Sequence, residues 1–422
     1  MRLALFTDTL ADVNGVSRFL QDMARCATRA GCTLRIFTAS RRPLPAVGDV
    51  VNLPRRWAMA MPAYPELDLV WPDAVAAEHA LNDFAPDAVH VSTPGPVGLL
   101  GRRLALRRKR RQGPASVLLA GTYHTDFPAY ARDILGDEGL AGLAIVLARR
   151  FYAPFDRLLV RSAATARSLL ASGVLAPPHS PPPAPARQPS DDDACAPSAC
   201  SRLGLIAAGV DHSRFSPAFA DPSIWKRLLP HAPAHEKRLL YVGRVSREKN
   251  TRLLAPIWRH LRTAGDGARL VIVGDGPAAG ELRAALGEDG VSFLGPRFGA
   301  ELAALYASAD VLLFPSRTDT LGQVVLEAQA SGLPAMVSTE GGPAGVIRDQ
   351  RHPRPTGLAL PAGSDADARH WAAAAAALLA DEPRRAAMAA AAAEHMADRS
   401  IMASFQSLWS LHQRGLERLR QA

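Results

Sequence analysis

Short apolar runs of strand length recur along this chain, and each stops at a glycine or a polar cluster and gives way to a helix-like stretch. Residues 3–7, 34–38, 88–91, 117–120 and 158–160 form one series, and residues 238–243, 270–273 and 310–314 belong to a second. This alternation predicts α/β architecture, with doubly wound parallel sheets and ligands above the carboxyl ends of the strands. A chain of 422 residues exceeds one ordinary core. Two domains of about 200 residues each are expected.

The densest of these junctions is residues 314–334, FPSRTDTLGQVVLEAQASGLP. The strand stops at Pro315, a turn of small and polar residues runs through Gly322, and a helix is predicted from Gln323 to Gly332. Free backbone N–H groups and the positive helix end would face an anion there, phosphate by default. Asp319 and Glu327 put two carboxylates eight positions apart beside that site, with Thr320, Leu321 and Gly322 near the first. Carboxylates accept hydrogen bonds from sugar hydroxyls while loop amides hold phosphate, and a nucleotide-sugar carries both groups. A surface turn followed by a solvated helical glutamate is the plainer alternative.

Arg244 and Lys249 lie in the loop RVSREKN that follows the strand of residues 238–243. An arginine fork and a lysine point charge at a sheet's carboxyl edge suit a diphosphate, and without a metal they would carry its neutralisation. In the first half, residues 8–16 read as a loop entering an amphipathic helix. Asn14-Gly15 is its turn, and Gly15 lets backbone approach a phosphate or sugar closely. Polar clusters follow two further strands, at residues 92–98 and 121–126. His124, in the second cluster, can donate to a sugar hydroxyl or polarise a group near the bond being broken.

A net charge of +9 and a pI near 9.9 point to an acidic partner, whether phosphorylated ligand, anionic lipid surface or nucleic acid. Residues 102–111 hold seven bases in ten positions but no aromatic side chain to stack on bases. Nucleic acid is therefore not expected, and an anionic bilayer suits this basic helix better. Trp57, Met59 and Met61, between prolines in residues 53–66, would dip into lipid if exposed and act as packing if buried. Cys26, Cys32, Cys195 and Cys200 lack zinc spacing and argue for a reducing compartment. No signal-peptide core and no apolar run of about eighteen residues is evident. A cytoplasmic protein is expected, at most peripheral on the inner face of the plasma membrane.

Residues 176–201 are rich in Pro, Ala, Ser and Asp and cannot bury a core, so Asp191, Asp192 and Asp193 read as solvating charge. Asp365 and Asp367 begin a helix, where carboxylates favour the positive end, and no metal is assigned to them. Residues 270–277 lack G-x-G-x-x-G, so a nicotinamide fingerprint is not supported. Residues 372–393 are expected to form an Ala-rich packing helix.

Residues 314–334 resemble the acidic-x7-acidic signature of retaining glycosyltransferases of the large GT-B family four, with Asp319 in place of the commoner glutamate. The form TDT-x-G-x-V-x-LEA is similar to a subgroup that includes diacylglycerol- and phosphatidylinositol-directed mannosyl-, glucosyl- and sulfoquinovosyltransferases. YHTDF-x-x-Y resembles a block of that subgroup, G-R-x-S-x-E-K-N the family's diphosphate block, D-x5-NGV its first strand–loop–helix, and residues 203–211 its hinge.

The resemblance implies two Rossmann-like domains closing over an interdomain cleft. Residues 1–208 would be the acceptor side, with 176–201 an insertion; residues 209–398 would bind nucleotide-sugar, and residues 399–422 would cross back as a helix. The implied activity is a metal-independent hexosyltransferase drawing on GDP-mannose or a UDP-sugar, with a membrane lipid or envelope glycan as acceptor. By the same resemblance Glu327 takes the ribose hydroxyls, Arg244 and Lys249 the diphosphate, and Asp319 with Thr320, Leu321 and Gly322 the sugar and phosphate. Gly15 lies near diphosphate and acceptor, and His124 reaches the sugar from the opposite domain. Two alternatives stay open: a GT-B NDP-sugar epimerase, and a non-catalytic basic protein binding membrane or nucleic acid.

Overall fold

A computed structural model of the protein describes residues 1–12, 14–61, 64–124, 138–175, 202–233, 235–263 and 267–421. The Pro-rich stretch 176–201, with Asp191 to Asp193, Cys195 and Cys200, lies outside the described residues, as does the His124 block from Thr125 to Tyr130.

The first half contributes β1 (Arg2–Phe6), β2 (Thr33–Thr38), β3 (Asp49–Asn52), β4 (Arg55–Met61), β5 (Tyr64–Pro72), β6 (Ala88–Val91), β7 (Leu118–Thr122), β8 (Arg157–Val160) and β9 (Leu203–Leu205). The second contributes β10 (Lys237–Val242), β11 (Ala268–Val273), β12 (Val291–Gly295), β13 (Val311–Phe314), β14 (Ala335–Ser338) and β15 (Gly357–Leu360). Seven strands make a parallel sheet in the order β3-β2-β1-β6-β7-β8-β9. Six make a second, in the order β12-β11-β10-β13-β14-β15. The expected pair of doubly wound α/β sheets is present. Each order reverses once, between β1 and β6 and between β10 and β13, and a crevice opens above the strand carboxyl ends at such a reversal. The loops after β10 and β13 therefore converge, and they carry Arg244, Lys249 and Asp319.

Alternating side chains give the first sheet two cores. Ala4 and Phe6 pack with Leu81 and Phe84 of helix Ala74–Phe84 and with Leu100 and Leu104 of helix Pro96–Gln112. Leu3 and Leu5 pack on the other face with Phe19 and Met23 of helix Gly15–Arg29. That second core is completed by Phe405, Leu408, Leu411 and Leu416 of the last helix, Ile401–Gln421. The chain passes between the halves at residues 206–211 and again near residue 400. The two passages run side by side, with the Ile401 N–H donating to the Val210 carbonyl and the Val210 N–H to that of Arg399, both at 2.9 Å.

The expectation of one Ala-rich helix over residues 372–393 is corrected: the segment is two helices, Asp365–Ala380 and Glu382–Met396. Pro383 lacks the N–H that an unbroken helix would need, and Asp381 caps the new helix by accepting from the Arg384 N–H. β4 and β5 pair as an antiparallel hairpin in which Trp57 and Trp71 contact each other at 4.8 Å and stay 54% and 40% exposed. In helix Pro96–Gln112, Leu104 and Ala105 are buried in the core, so they cannot supply a lipid-facing side. Several of its bases are engaged within the molecule: Arg107 and Arg111 reach Glu78, and Lys109 grips Asp156 at 2.7 Å.

A buried histidine pair that no sequence pattern marked ties the last helix to the first sheet. His90 Nδ1 lies 3.0 Å from His412 Nε2, His90 Nε2 3.0 Å from Thr122 Oγ1, and His412 Nδ1 2.7 Å from the Leu408 carbonyl. A carbonyl only accepts, so His412 carries its proton on Nδ1, its Nε2 accepts from His90 Nδ1–H, and His90 Nε2 accepts from the Thr122 hydroxyl. Burial keeps both rings neutral, pushing His412 down to about 4 and His90 well below its ordinary 6.5. The unfolded chain therefore binds more protons than the folded one once pH falls below 6.5, and stability tied to the pair is lost toward pH 4. In thermal melts the fall in Tm across this window should be shallower for His412→Gln than for the native sequence. Parallel curves would remove the pair as its source.

Candidate active site

The loops after β10 and β13 are stitched together by side chains. Thr318 Oγ1 donates to the Glu248 carbonyl at 2.9 Å. Asn250, in the left-handed region at φ 53°, sends its amide to the carbonyls of Pro315 (3.2 Å) and Ala362 (2.9 Å). Lys249 is thereby presented to Asp319, Nζ to Oδ1 at 2.6 Å. The other carboxylate oxygen, Oδ2, is buried without a hydrogen-bond partner. Arg244 leaves the same edge, its carbonyl held by Tyr241 Oη at 2.7 Å and its guanidinium 3.7 Å from Glu248.

Helix Gln323–Ala330 begins at Gly322, whose φ of 82° turns the chain and whose lack of a side chain leaves the helix end uncapped. The loop before it is pressed from behind. A Cβ on Gly342 would meet the Thr320 carbonyl oxygen at 2.2 Å, and the Gly342 N–H donates to the Asp319 carbonyl at 2.7 Å. Backbone contact with Gly342 braces the Thr320–Gly322 turn from behind, and the buried Leu321 side chain anchors it further.

The first half meets this loop directly. Thr320 Oγ1 donates to the His124 carbonyl at 2.8 Å, and Thr165 Oγ1 to the Thr320 carbonyl at 3.1 Å. The His124 ring lies edge-on to Phe19, and its Nε2 is buried with no partner. Burial, reinforced by the nearby Arg161 charge, pushes this imidazole down to about 3, so it is neutral at ordinary pH. Glu327, 2% exposed, is fully engaged: Arg18 of helix Gly15–Arg29 reaches Oε1 at 3.1 Å and Tyr306 Oη donates to Oε2 at 3.1 Å. Burial raises its carboxyl while Arg18 opposes the rise. Gly15 starts the Arg18 helix, and a Cβ there would have no neighbour within 4 Å.

The two crevices differ in one respect that decides where an anion can go. In the first half the N-terminus of helix Pro96–Gln112 is already filled by the protein's own carboxylate. Asp8 accepts from Thr93 Oγ1 (2.6 Å), Val97 N–H (2.7 Å) and Gly98 N–H (3.3 Å). In the second half the corresponding helix end carries no side-chain cap and no acidic residue in its first turn. Of these two helix ends, the second is the one that offers an incoming phosphate free donors.

The candidate site residues Gly15, His124, Arg244, Lys249, Asp319, Thr320, Leu321, Gly322 and Glu327 belong to the loops and helix starts described here. Reading the sequence missed Arg18, Tyr306, Arg161, Thr165 and Gln323. Arg161 and Thr165 could have been found by asking which polar residues follow the end of β8, whereas nothing in the sequence tied Arg18 or Tyr306 to Glu327. Among the described residues no group of three or more His, Cys, Asp or Glu could hold a metal ion.

Residues 236–381 match a family model described as glycosyl transferases group 1, and residues 13–179 one described as glycosyltransferase family 4. The chain is 31% identical over 368 residues to a GDP-mannose-dependent alpha-mannosyltransferase of Mycobacterium tuberculosis, covering 86% of this chain and 84% of the relative. It is 31% identical over 285 residues to the sulfoquinovosyl transferase SQD2 of Arabidopsis thaliana, covering 67% of this chain and 48% of that one. Among solved structures, the sucrose-phosphate synthase of Thermosynechococcus elongatus superposes with a TM-score of 0.72 at 19% identity over 98% of both chains. Anabaena Alr3699/HepE, solved with UDP and glucose, superposes at 0.69 with 16% identity over 98% of this chain and 99% of that one.

Proposed function

The chain belongs to the family-4 glycosyltransferases of group 1, with the GT-B fold, and from that premise we propose that it moves a hexose, with retention at the anomeric carbon, onto an acceptor hydroxyl of a membrane lipid or envelope glycan. It is a hexosyltransferase using a nucleotide-sugar donor. GDP-mannose is the first donor to test, since a relative matched over most of its length is named for it. The epimerase alternative draws no support, because the relatives reported above carry transferase names.

The observation that carries this reading is the Lys249–Asp319 pair beside an uncapped helix end, with Asp319 Oδ2 buried and unpartnered. A diphosphate would take Lys249, Arg244 and the helix-end amides, and a sugar hydroxyl would donate to the unused carboxylate oxygen. The bond from the anomeric carbon to the diphosphate oxygen breaks with its electron pair on that oxygen, which the two cations neutralise. The acceptor oxygen bonds to the same face of the carbon, and its proton passes to the departing phosphate. His124, neutral, offers Nε2 to the sugar from the other half. Closure of the halves would keep water from the sugar. These residues would do so without a divalent ion, and turnover should survive EDTA.

Membrane contact is supported by the exposed Trp57–Trp71 pair on the hairpin beside helix Pro96–Gln112, where Arg103 and Arg110 are also exposed. Among the described residues no helix is long and apolar enough to cross a membrane.

Screening GDP- and UDP-sugars for NDP release, with and without an extracted lipid fraction, tests the reaction. For Glu327, assigned to the ribose hydroxyls, Arg18 must yield Oε1 when the donor enters. Glu327→Gln should raise the donor KM and the inhibition constant of the free nucleotide together, each about tenfold, with little change in kcat. Unaltered values for both would remove Glu327 from the nucleotide site.

A further inference from the structure

Arg161 follows β8 directly and points into the cleft between the halves. It is 6% exposed, its guanidinium lies 3.9 Å over the Phe19 ring, and its Nε is buried without a hydrogen-bond partner. One terminal nitrogen makes a long contact of 3.4 Å to Gln323 Oε1. Among the described residues no carboxylate forms an ion pair with it. Asp22, the acid whose charge it feels, is engaged by Arg25 at 2.8 Å. Two other buried arginines have an acid beside them: Arg238 donates to the Glu236 and Pro233 carbonyls and lies 3.3 Å from the Glu236 carboxylate, and Arg385 donates to two carbonyls and lies 3.3 Å from Asp310. Burying a guanidinium with most of its donors unspent is costly unless a ligand supplies the acceptors. Burial, opposed by the Asp22 charge, pulls its pKa from 12.5 down to about 9, so it still carries its charge at neutral pH.

Its surroundings say which part of a ligand it meets. Phe19 packs against both Arg161 and His124. Gln323 directly follows the Thr320–Gly322 turn. Arg244 and Lys249, the cations suited to a diphosphate, leave the opposite sheet on the loop after β10. Arg161 therefore stands with the groups that face the sugar.

We propose that Arg161 is a specificity-determining residue that reads a negative charge on the transferred sugar, so that the preferred donor is a nucleotide-hexose bearing a carboxylate or sulfonate at C6. The planar fork of arginine matches two oxygens of either group, and a neutral hydroxymethyl would leave most of its donors unanswered. This rests on the glycosyl-transfer reading given above.

The test uses the full chain and paired donors: UDP-glucuronate or UDP-sulfoquinovose against UDP-glucose, and GDP-mannuronate against GDP-mannose, followed by NDP release and by calorimetric binding. The native protein should favour an anionic donor over its neutral counterpart by at least tenfold in kcat/KM. Arg161→Gln should abolish that preference by lowering kcat/KM for the anionic donor at least tenfold more than for its neutral counterpart, with the Kd of free UDP and GDP within threefold, and Arg161→Lys should restore part of it. A native preference for neutral donors overturns the proposal. So does an Arg161→Gln loss that is equal for both donors, or one shared by the free nucleotide, which would assign Arg161 to packing or to the diphosphate. If no donor is bound or turned over, the glycosyl-transfer reading fails and this one with it.

Discussion

Lys249→Ala is expected to lower kcat about 100- to 1,000-fold with any competent donor, the loss of about 3–4 kcal/mol that follows removal of one preorganised donor from a developing oxyanion. Lys249 is held by Asn250 and by the Thr318–Glu248 contact before any ligand arrives, so little reorganisation is needed when charge collects on the leaving diphosphate. The side chain is 26% exposed and replaces no core group, so the melting temperature should stay close to native. Asp319→Asn combined with Lys249→Ala should cost less than the sum of the two changes, because each alone strands the other's charge. Measured by NDP release, a Lys249→Ala loss below threefold would take this loop out of the chemistry. Arg244→Ala provides the companion measurement, and retention of full activity in both variants would discard the proposed diphosphate site.

Gly342→Ala should be nearly as damaging although Gly342 would touch no ligand. The added methyl would sit 2.2 Å from the Thr320 oxygen, 2.4 Å from its carbonyl carbon and 2.6 Å from the Leu321 nitrogen, all backbone atoms with no rotamer to escape into. The Asp319–Gly322 turn must move to admit it, and a displacement near 1 Å in a positioning loop can cost about 100-fold in rate. Overpacking should also cost about 1–3 kcal/mol of stability. We expect kcat/KM to fall about 100-fold while the circular dichroism spectrum is retained. Gly345→Ala is the control, since a Cβ there meets nothing within 4 Å. If both variants behave alike, the turn is not held from behind as described.

Strand and helix positions were legible in the sequence because apolar runs of strand length and helical periodicity are local properties. The strand seen at residues 88–91 coincides with the one read, and those at 311–314 and 237–242 lie within a residue of it. Short edge elements such as β3 and β15 were not legible, because four residues are too few to carry a periodic signal. The break at Pro383 was overlooked because alanine on both sides outweighed a single proline. The basic run of residues 102–111 was readable as helix but not as a surface, since Glu78 and Asp156, which take up three of its bases, lie more than twenty residues away in the chain.

The chain's own letters determined that two parallel sheets would form and that Asp319, Arg244 and Lys249 would emerge at strand carboxyl ends, because hydrophobic pattern and turn chemistry act over a few neighbouring residues. Tertiary structure alone decided that Asp8 fills one helix end and leaves the other open, that Arg18 and Tyr306 close on Glu327, and that Arg161 is buried in the cleft without an acid. Those outcomes depend on which residues, far apart in sequence, share a small volume of low dielectric, and there the energy of a charge is set by its neighbours rather than by its place in the chain.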